Sequence, residues 1–184
     1  MLKLFNASAT DFSTNGLGVI TPLKLEEHRE RGLNEWYVDC YLKPDQDNIA
    51  QGNILLVNTK GKGYQAFRIS NIKRKTNRIE IKAYHIVYDA QNYLLDDVRP
   101  TSLNSSSFLQ WINTRTDRTS PYTVSGTITN TLTHYFIRET LLNAFIWAET
   151  NFNGIMDIDN YNISLKTSDE IGSNQGYTVS MVKI

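Results

Sequence analysis

The run Trp36-Tyr37-Val38-Asp39-Cys40-Tyr41-Leu42 alternates apolar and polar side chains at a period of two. An extended chain places Trp36, Val38, Cys40 and Leu42 on one face and Tyr37, Asp39 and Tyr41 on the other, so this stretch predicts a strand with a core face and a solvated face. The same reading extends toward the N-terminus. Leu2-Lys3-Leu4-Phe5 reads as an opening strand, Asn15-Gly16-Leu17-Gly18 as a tight turn that uses positive φ, and Val19 to about Glu27 as a strand leading to the turn Arg31-Gly32-Leu33-Asn34. Beyond Pro44-Asp45-Gln46-Asp47, three strands form a meander: Asn53 to Thr59, Tyr64 to Lys73, and Ile79 onward into Ala83 to Asp89. Gly61-Lys62-Gly63 and Lys75-Thr76-Asn77-Arg78 supply the turns, with Phe67, Ile69, Ile79 and Ile81 inward.

Downstream the pattern changes. Ile86 to Leu95 is too densely apolar to separate a short helix from a strand. Ser105-Ser106-Ser107 offers an N-cap for a short helix carrying Phe108, Leu109, Trp111 and Ile112, which Asp117 to Pro121 ends. A strand is expected around Gly126. The clearest helix runs from about Arg138 to Phe152, with Gly154 as its stop. A hairpin follows, with Met156 and Ile158 on one arm, Asp159-Asn160 at the turn and Ile163 and Leu165 on the other; Tyr177 to Ile184 alternates like a final strand. The fold class is therefore α+β: mainly antiparallel sheet lobes with one prominent amphipathic helix and one or two short ones. The expected organisation is two intertwined lobes, 1–98 and 99–184, divided near Asp97 to Thr101, with Trp36 and Trp147 mostly buried.

Composition narrows the class of function. The chain has 184 residues, 40% hydrophobic and 21% charged, which is the balance of a folded chain rather than a disordered one. Lysine plus arginine and aspartate plus glutamate number 19 each, so the basic excess of a free nucleic-acid binder is absent. One cysteine, Cys40, excludes an intramolecular disulfide framework and a multi-cysteine zinc site, and its inward parity reads as a small buried hydrophobe. Neither a signal peptide nor a run approaching a membrane span is visible, so a soluble protein is expected.

Few residues offer chemistry. His28 and His134 lie in polar contexts without a second ligand at helical or strand spacing. His85 and Asp89 lie four residues apart, a spacing that would pair them on a helix, but no third ligand completes a metal site. His-Glu-x-x-His, Gly-x-Ser-x-Gly, Asp-Thr-Gly and P-loop patterns are missing. Asp157, Asp159 and Asn160 begin like a calcium loop, but Tyr161 stands at the fifth place and no Gly or Glu follows in position, so polar hairpin residues explain them better. Charge is concentrated locally. Lys60, Lys62, Arg68, Lys73, Arg74, Lys75, Arg78 and Lys82 face only Glu80 within one span, while Glu26 to Asp47 and Glu139 to Glu170 are acidic. Solvated turns, a head-to-tail contact between identical subunits, and nucleic-acid binding all fit this pattern; the last is weakest, because Tyr64 and Phe67 are too few for a stacking platform.

The segment Leu4-Phe5-Asn6 to Asp11-Phe12-Ser13-Thr14-Asn15-Gly16-Leu17-Gly18-Val19-Ile20-Thr21-Pro22 resembles the N-terminal signature of the prophage endopeptidase tail family of phage and prophage tail proteins. Gln65-Ala66-Phe67-Arg68-Ile69 and Ala83-Tyr84-His85-Ile86-Val87-Tyr88-Asp89 are similar to two further patterns of that family, in the same order. The resemblance implies a baseplate-hub-like homotrimer at the virion tail tip, assembled in the host bacterial cytoplasm. It would close the tail tube and dock on the distal tail protein, with a channel that admits the tape-measure protein and later the DNA in transit. It implies no cofactor and no small-molecule substrate. Asn15, Gly16, Gly18, His85, Tyr88 and Asp89 are then structural signature residues, and Lys60, Lys62, Arg68, Lys73, Arg74, Lys75 and Arg78 are candidate subunit-contact or channel residues. Family members often continue into C-terminal wall-hydrolysing or receptor-binding regions, so the end at Ile184 is expected to fall within a longer hub, and this chain itself is expected not to be an enzyme. The alternatives are a tail-associated endopeptidase or wall hydrolase that uses His85, and a carbohydrate-binding module that uses exposed Tyr and Trp.

Overall fold

In a computed structural model, residues 1–46, 48–171 and 180–182 are described. The chain forms two compact units. The first holds Met1–Glu30, Asn34–Ile86 and the terminal strand; the second holds Arg31–Leu33 and the chain from Val87 onward. The division thus falls at Ile86/Val87, ahead of the expected 98/99.

The first unit is one antiparallel sheet. Its strands are β1 (Leu2–Phe5), β2 (Gly18–Ile20), β3 (Lys24–Arg29), β4 (Trp36–Leu42), β5 (Ile54–Thr59), β6 (Gly63–Arg74) and β7 (Ile79–His85), in the spatial order β3-β4-β7-β6-β5-β1-β2. A last strand, Ser180–Val182, pairs antiparallel with β3, and the rest of the expected strand from Tyr177 to Ile184 lies outside the described residues. The single strand expected from Val19 to Glu27 is two strands, β2 and β3. Pro22 has no N–H for a ladder and breaks the run. Only Thr21, Pro22 and Leu23 join these two strands, a reach of about 14 Å fully stretched, although six strand pairings separate them across the sheet. The sheet must therefore curl, and it forms a half-barrel. Period-two parity fills its interior: Trp36, Val38, Cys40 and Leu42 from β4, Phe67 and Ile69 from β6, and Ile79, Ile81 and Ala83 from β7 are all buried.

The second unit opens with a 3₁₀ segment, Ile86–Asn92, and β8 (Leu94–Val98), so the ambiguous run is first helical and then extended. Helix α1 (Ser105–Asn113), β9 (Thr123–Gly126), β10 (Phe136–Thr140), α2 (Leu141–Asn151) and the hairpin β11 (Ile155–Asp159) and β12 (Asn162–Lys166) follow. β10 pairs with β8, while β12 pairs with β11 and, in parallel, with β9. Phe108 packs its ring against Phe136, Trp147 and Phe152 at centroid distances of 6.1, 5.4 and 5.4 Å.

Three helix boundaries differ from expectation. Asn104, not one of the serines, caps α1 by accepting the Ser107 N–H at 3.0 Å. Ser105 is instead buried, its hydroxyl donating to the Ile128 carbonyl and accepting the Ile128 N–H, both at 2.9 Å. Helix α2 starts at Leu141, because Arg138 takes a φ of +52° within β10 and Thr140 caps the helix by accepting the Asn143 N–H at 3.1 Å. At the other end Asn153, at φ +52°, is the left-handed residue; its N–H reaches Thr150 and that of Gly154 reaches Glu149, the paired bonds of a Schellman motif. Gly154 is small for packing, since a Cβ there would lie 2.7 Å from Ile128 and Leu165 side-chain carbons. The buried face of α2 consists of Leu141, Ala144, Phe145 and Ala148; Ile146 is exposed and Trp147 only half-buried, unlike the mostly buried Trp147 expected.

Two hydrogen bonds close the β1–β2 turn: Gly18 N–H to the Asn15 carbonyl at 3.2 Å and Leu17 N–H to the Leu4 carbonyl at 2.7 Å. Gly16 sits at φ +59°, where a Cβ would meet the Leu4 carbonyl at 2.3 Å. Gly16→Ala should therefore lower stability to urea by about 2–3 kcal/mol, combining a left-handed φ with a backbone clash. Gly61→Ala, at φ +81° but with open space around the new methyl, should cost only about 1 kcal/mol. Equal losses at the two positions would show that the close approach to Leu4 does not matter.

Candidate functional site

The two signature segments of the sequence meet inside the half-barrel. β6 and β7 pair so that Phe67 lies opposite His85, and their rings contact edge to face at 5.3 Å. Around them runs a closed circuit of polar and aromatic contacts. Gln65 donates from Nε2 to the Lys62 carbonyl at 3.1 Å, and its Oε1 faces His85 Nε2 at 3.1 Å. Because that amide oxygen can only accept, Nε2 carries the proton. The His85 ring stacks on Trp36 with centroids 4.1 Å apart and planes 1° from parallel. Trp36 Nε1 donates to Glu27 Oε1 at 3.0 Å, and Glu27 Oε2 accepts the Lys60 N–H at 3.3 Å, returning the circuit to the β5–β6 turn. The Arg29 guanidinium lies 4.0 Å over the Trp36 ring.

His85 is 1% exposed. Burial first, then the charges of Arg29 and Lys62, hold its pKa well below 6.5, so its ring is neutral at pH 7. Such a ring is walled off from solvent. The helical spacing to Asp89 does not apply, because His85 ends a strand and Asp89 lies in the 3₁₀ segment. Tyr88 lies in the same segment. Gln65 and Glu27, partners that the sequence reading did not single out, share a legible signal: each is a polar residue at an inward parity, Gln65 with Phe67 and Ile69, and Glu27 with Leu25.

The other histidines also serve as rings. His28 stacks on Tyr37 at 4.5 Å with Nε2 3.5 Å from Asp39, and His134 stacks on Trp147 at 4.1 Å, with burial lowering its pKa. Burial pushes the Cys40 thiol up to about 12, which removes it as a nucleophile at neutral pH. Asp157 pairs with Lys166 at 2.6 Å across the hairpin, and among the described residues no group of three or more His, Cys, Asp or Glu is arranged to hold a metal ion.

The basic residues do not form one patch. Lys60 and Lys62 sit at the β5–β6 turn, whereas Lys73, Arg74, Lys75 and Arg78 sit at the β6–β7 turn, about 36 Å away at ~3.3 Å per residue along β6. Arg68, between them, donates to the carbonyls of Ala7 at 2.8 Å and Gly52 at 2.7 Å, and so fastens two loops. Arg74 donates to the carbonyls of Gln46 at 3.3 Å and Ile49 at 3.1 Å. Lys75 and Arg78 share Glu80 at 2.8 and 2.7 Å, which lowers the pKa of that carboxyl. Several acids are likewise taken up locally. Glu26 pairs with Lys24 at 2.8 Å, and Glu149 accepts the N–H groups of Met156 at 2.7 Å and Leu33 at 3.3 Å, its carboxyl pushed up by burial.

This curled antiparallel sheet and its α+β companion define a class: the chain has the fold of phage and prophage tail proteins. Compared by sequence, it matches no family profile and no curated protein. Compared by structure, it is similar to the prophage tail protein gp18 of Listeria monocytogenes EGD-e, at 14% identity and a TM-score of 0.69, covering 90% of this chain and 50% of that one. It is similar to the 43 kDa tail protein of prophage MuSo2 from Shewanella oneidensis, at 12% identity and a TM-score of 0.55, covering 79% and 48%. A third similar structure is the E. coli c3393 protein, a component of the type VI secretion system with structural similarity to the T4 bacteriophage tail proteins gp27 and gp5, at 11% identity and a TM-score of 0.60, covering 92% and 50%. The chain spans about half the length of these proteins.

The buried histidine makes stability depend on pH. Its folded pKa lies below that of the unfolded chain, so between the two values only the unfolded state is protonated, and stability falls as pH drops below about 6.5. Urea unfolding should show a slope approaching about 1.4 kcal/mol per pH unit from this residue, present in the wild type and lost in His85→Phe. An identical slope in both proteins would remove His85 from the account.

Proposed function

We propose that the chain is a structural component of a phage or prophage tail, placed at the tail tip, where three copies form a baseplate hub that closes the tail tube. The observation that carries this reading is the shared fold over 90% of the chain with a prophage tail protein. The buried, neutral His85 supports a structural rather than a catalytic use of the signature residues. In this reading the hub docks on the distal tail protein, and its channel admits the tape-measure protein and then the DNA in transit. The virion tail tip is its final location, after assembly in the host bacterial cytoplasm. Lys60 and Lys62 at one end of β6, and Lys73, Lys75 and Arg78 at the other, are candidates for two separate contact regions, facing a neighbouring subunit or the channel.

Light scattering of the full-length gene product gives the direct test. Three copies per particle at low ionic strength are expected, and a strictly monomeric species at high protein concentration would overturn the trimeric hub.

A further inference from the structure

β6 outruns its neighbour. Its pairing with β5 ends at Ile54 opposite Arg68, whereas its pairing with β7 continues to Arg74 opposite Ile79. Ile69 is turned toward the β5 side, its N–H donating to the Asn53 carbonyl at 2.8 Å and its carbonyl accepting the Gly52 N–H at 2.9 Å. A bulge at Ser70 then shifts the parity by one residue. Lys82 turns its carbonyl toward β6, where it accepts the Ser70 hydroxyl at 3.0 Å, so Ile81 turns away. Ile72 stands opposite Ile81 and must present its N–H and carbonyl to the side that β5 no longer covers. Among the described residues no hydrogen bond reaches these two outward groups.

This open edge is one wall of a groove of about 590 Å³ whose other wall is formed by Ile49, Ala50 and Gln51. Gln51 has already taken the neighbouring acceptor, donating from Nε2 to the Ser70 carbonyl at 2.9 Å. Arg74 holds the far wall in place through the Ile49 carbonyl. The groove is therefore braced on both sides, with an unpaired donor and acceptor between the braces. Arg74 lines the groove and exposed Lys73 flanks Ile72 on the same strand, while Lys75 and Arg78 lie at the β6–β7 turn beyond it, paired with Glu80.

We propose that this groove takes an extended peptide segment carrying acidic side chains, which adds as a strand to the free edge of β6 and exchanges main-chain hydrogen bonds with Ile72. Strand addition is the mode that an open edge beside a groove supports, with main-chain bonds giving affinity and flanking side chains giving selectivity. Lys73 and Arg74 choose the partner. Pairing with the same edge of a second copy would bring lysines against lysines, a device that sheets use against self-association, so an acidic segment fits where a second copy does not.

The test uses the full chain and a synthetic octapeptide alternating glutamate and valine. Amide hydrogen exchange read by NMR should find the Ile72 N–H fast in the free protein beside protected Asn71 and Lys73 amides. Saturating peptide should slow its exchange at least about tenfold. A lysine and valine octapeptide should bind at least about tenfold more weakly, and so should a glutamate and valine peptide N-methylated on alternate residues. Ile72→Pro, tolerable where the N–H faces out of the sheet, should abolish the protection of neighbouring amides by the peptide. If that variant does not fold, Lys73→Glu should weaken peptide binding instead. Peptide binding that ignores charge and N-methylation, or an Ile72 amide already protected in the free protein, would overturn the proposal. None of these outcomes depends on the number of copies in the assembly, so the tail reading and this one fail separately.

Discussion

The stack of Trp36 on His85 sets the terms for the N-terminal sheet. An imidazole, a carboxamide and a carboxylate are brought into the same interior, and each would destabilise it by about 1–3 kcal/mol if left without a partner. The circuit through Gln65, His85, Trp36 and Glu27 satisfies them together, and it can close only if β3, β4, β6 and β7 keep the registers they have. A slip of one residue in any of these pairings would turn every inward side chain outward and open the circuit as well. Curvature is required by the same contacts, since Glu27 on β3 must reach the turn after β5. Polar burial thus acts here as a specification of register more than as a source of stability.

Alternation made most of the first unit legible in the sequence. Trp36 to Leu42, Ile79 to His85 and the two glycine-bearing turns fall where period two and turn chemistry put them. The missed elements have local causes. Pro22 interrupts a run whose hydrophobicity continues, and the last residues of β10 read as the first turn of α2 because the positive φ of Arg138 leaves no trace in composition. Asn153 rather than Gly154 takes the left-handed position, and the glycine instead leaves room for Ile128 and Leu165.

The site was legible only in part. His85 and Gln65 both stood in recognisable segments, but their meeting depends on a cross-strand register that spacing along the chain does not reveal. The basic residues were misleading in the opposite way: adjacent in sequence, they separate to the two ends of a long strand, and Arg68 and Arg74 are engaged with loop carbonyls. Net charge zero therefore does not describe two broad opposed patches. It describes many local pairings, with the lysines at the two ends of β6 left at the surface.

The proposed tail-tip role calls for a defined fold and defined edges more than for a reactive centre. Gold-labelled antibody against this chain, applied to intact particles and viewed by electron microscopy, addresses that role most directly. Labelling confined to the tail end distal to the head is the predicted result. Labelling on the head or along the tail shaft, or none on particles shown by mass spectrometry to contain the chain, would contradict it.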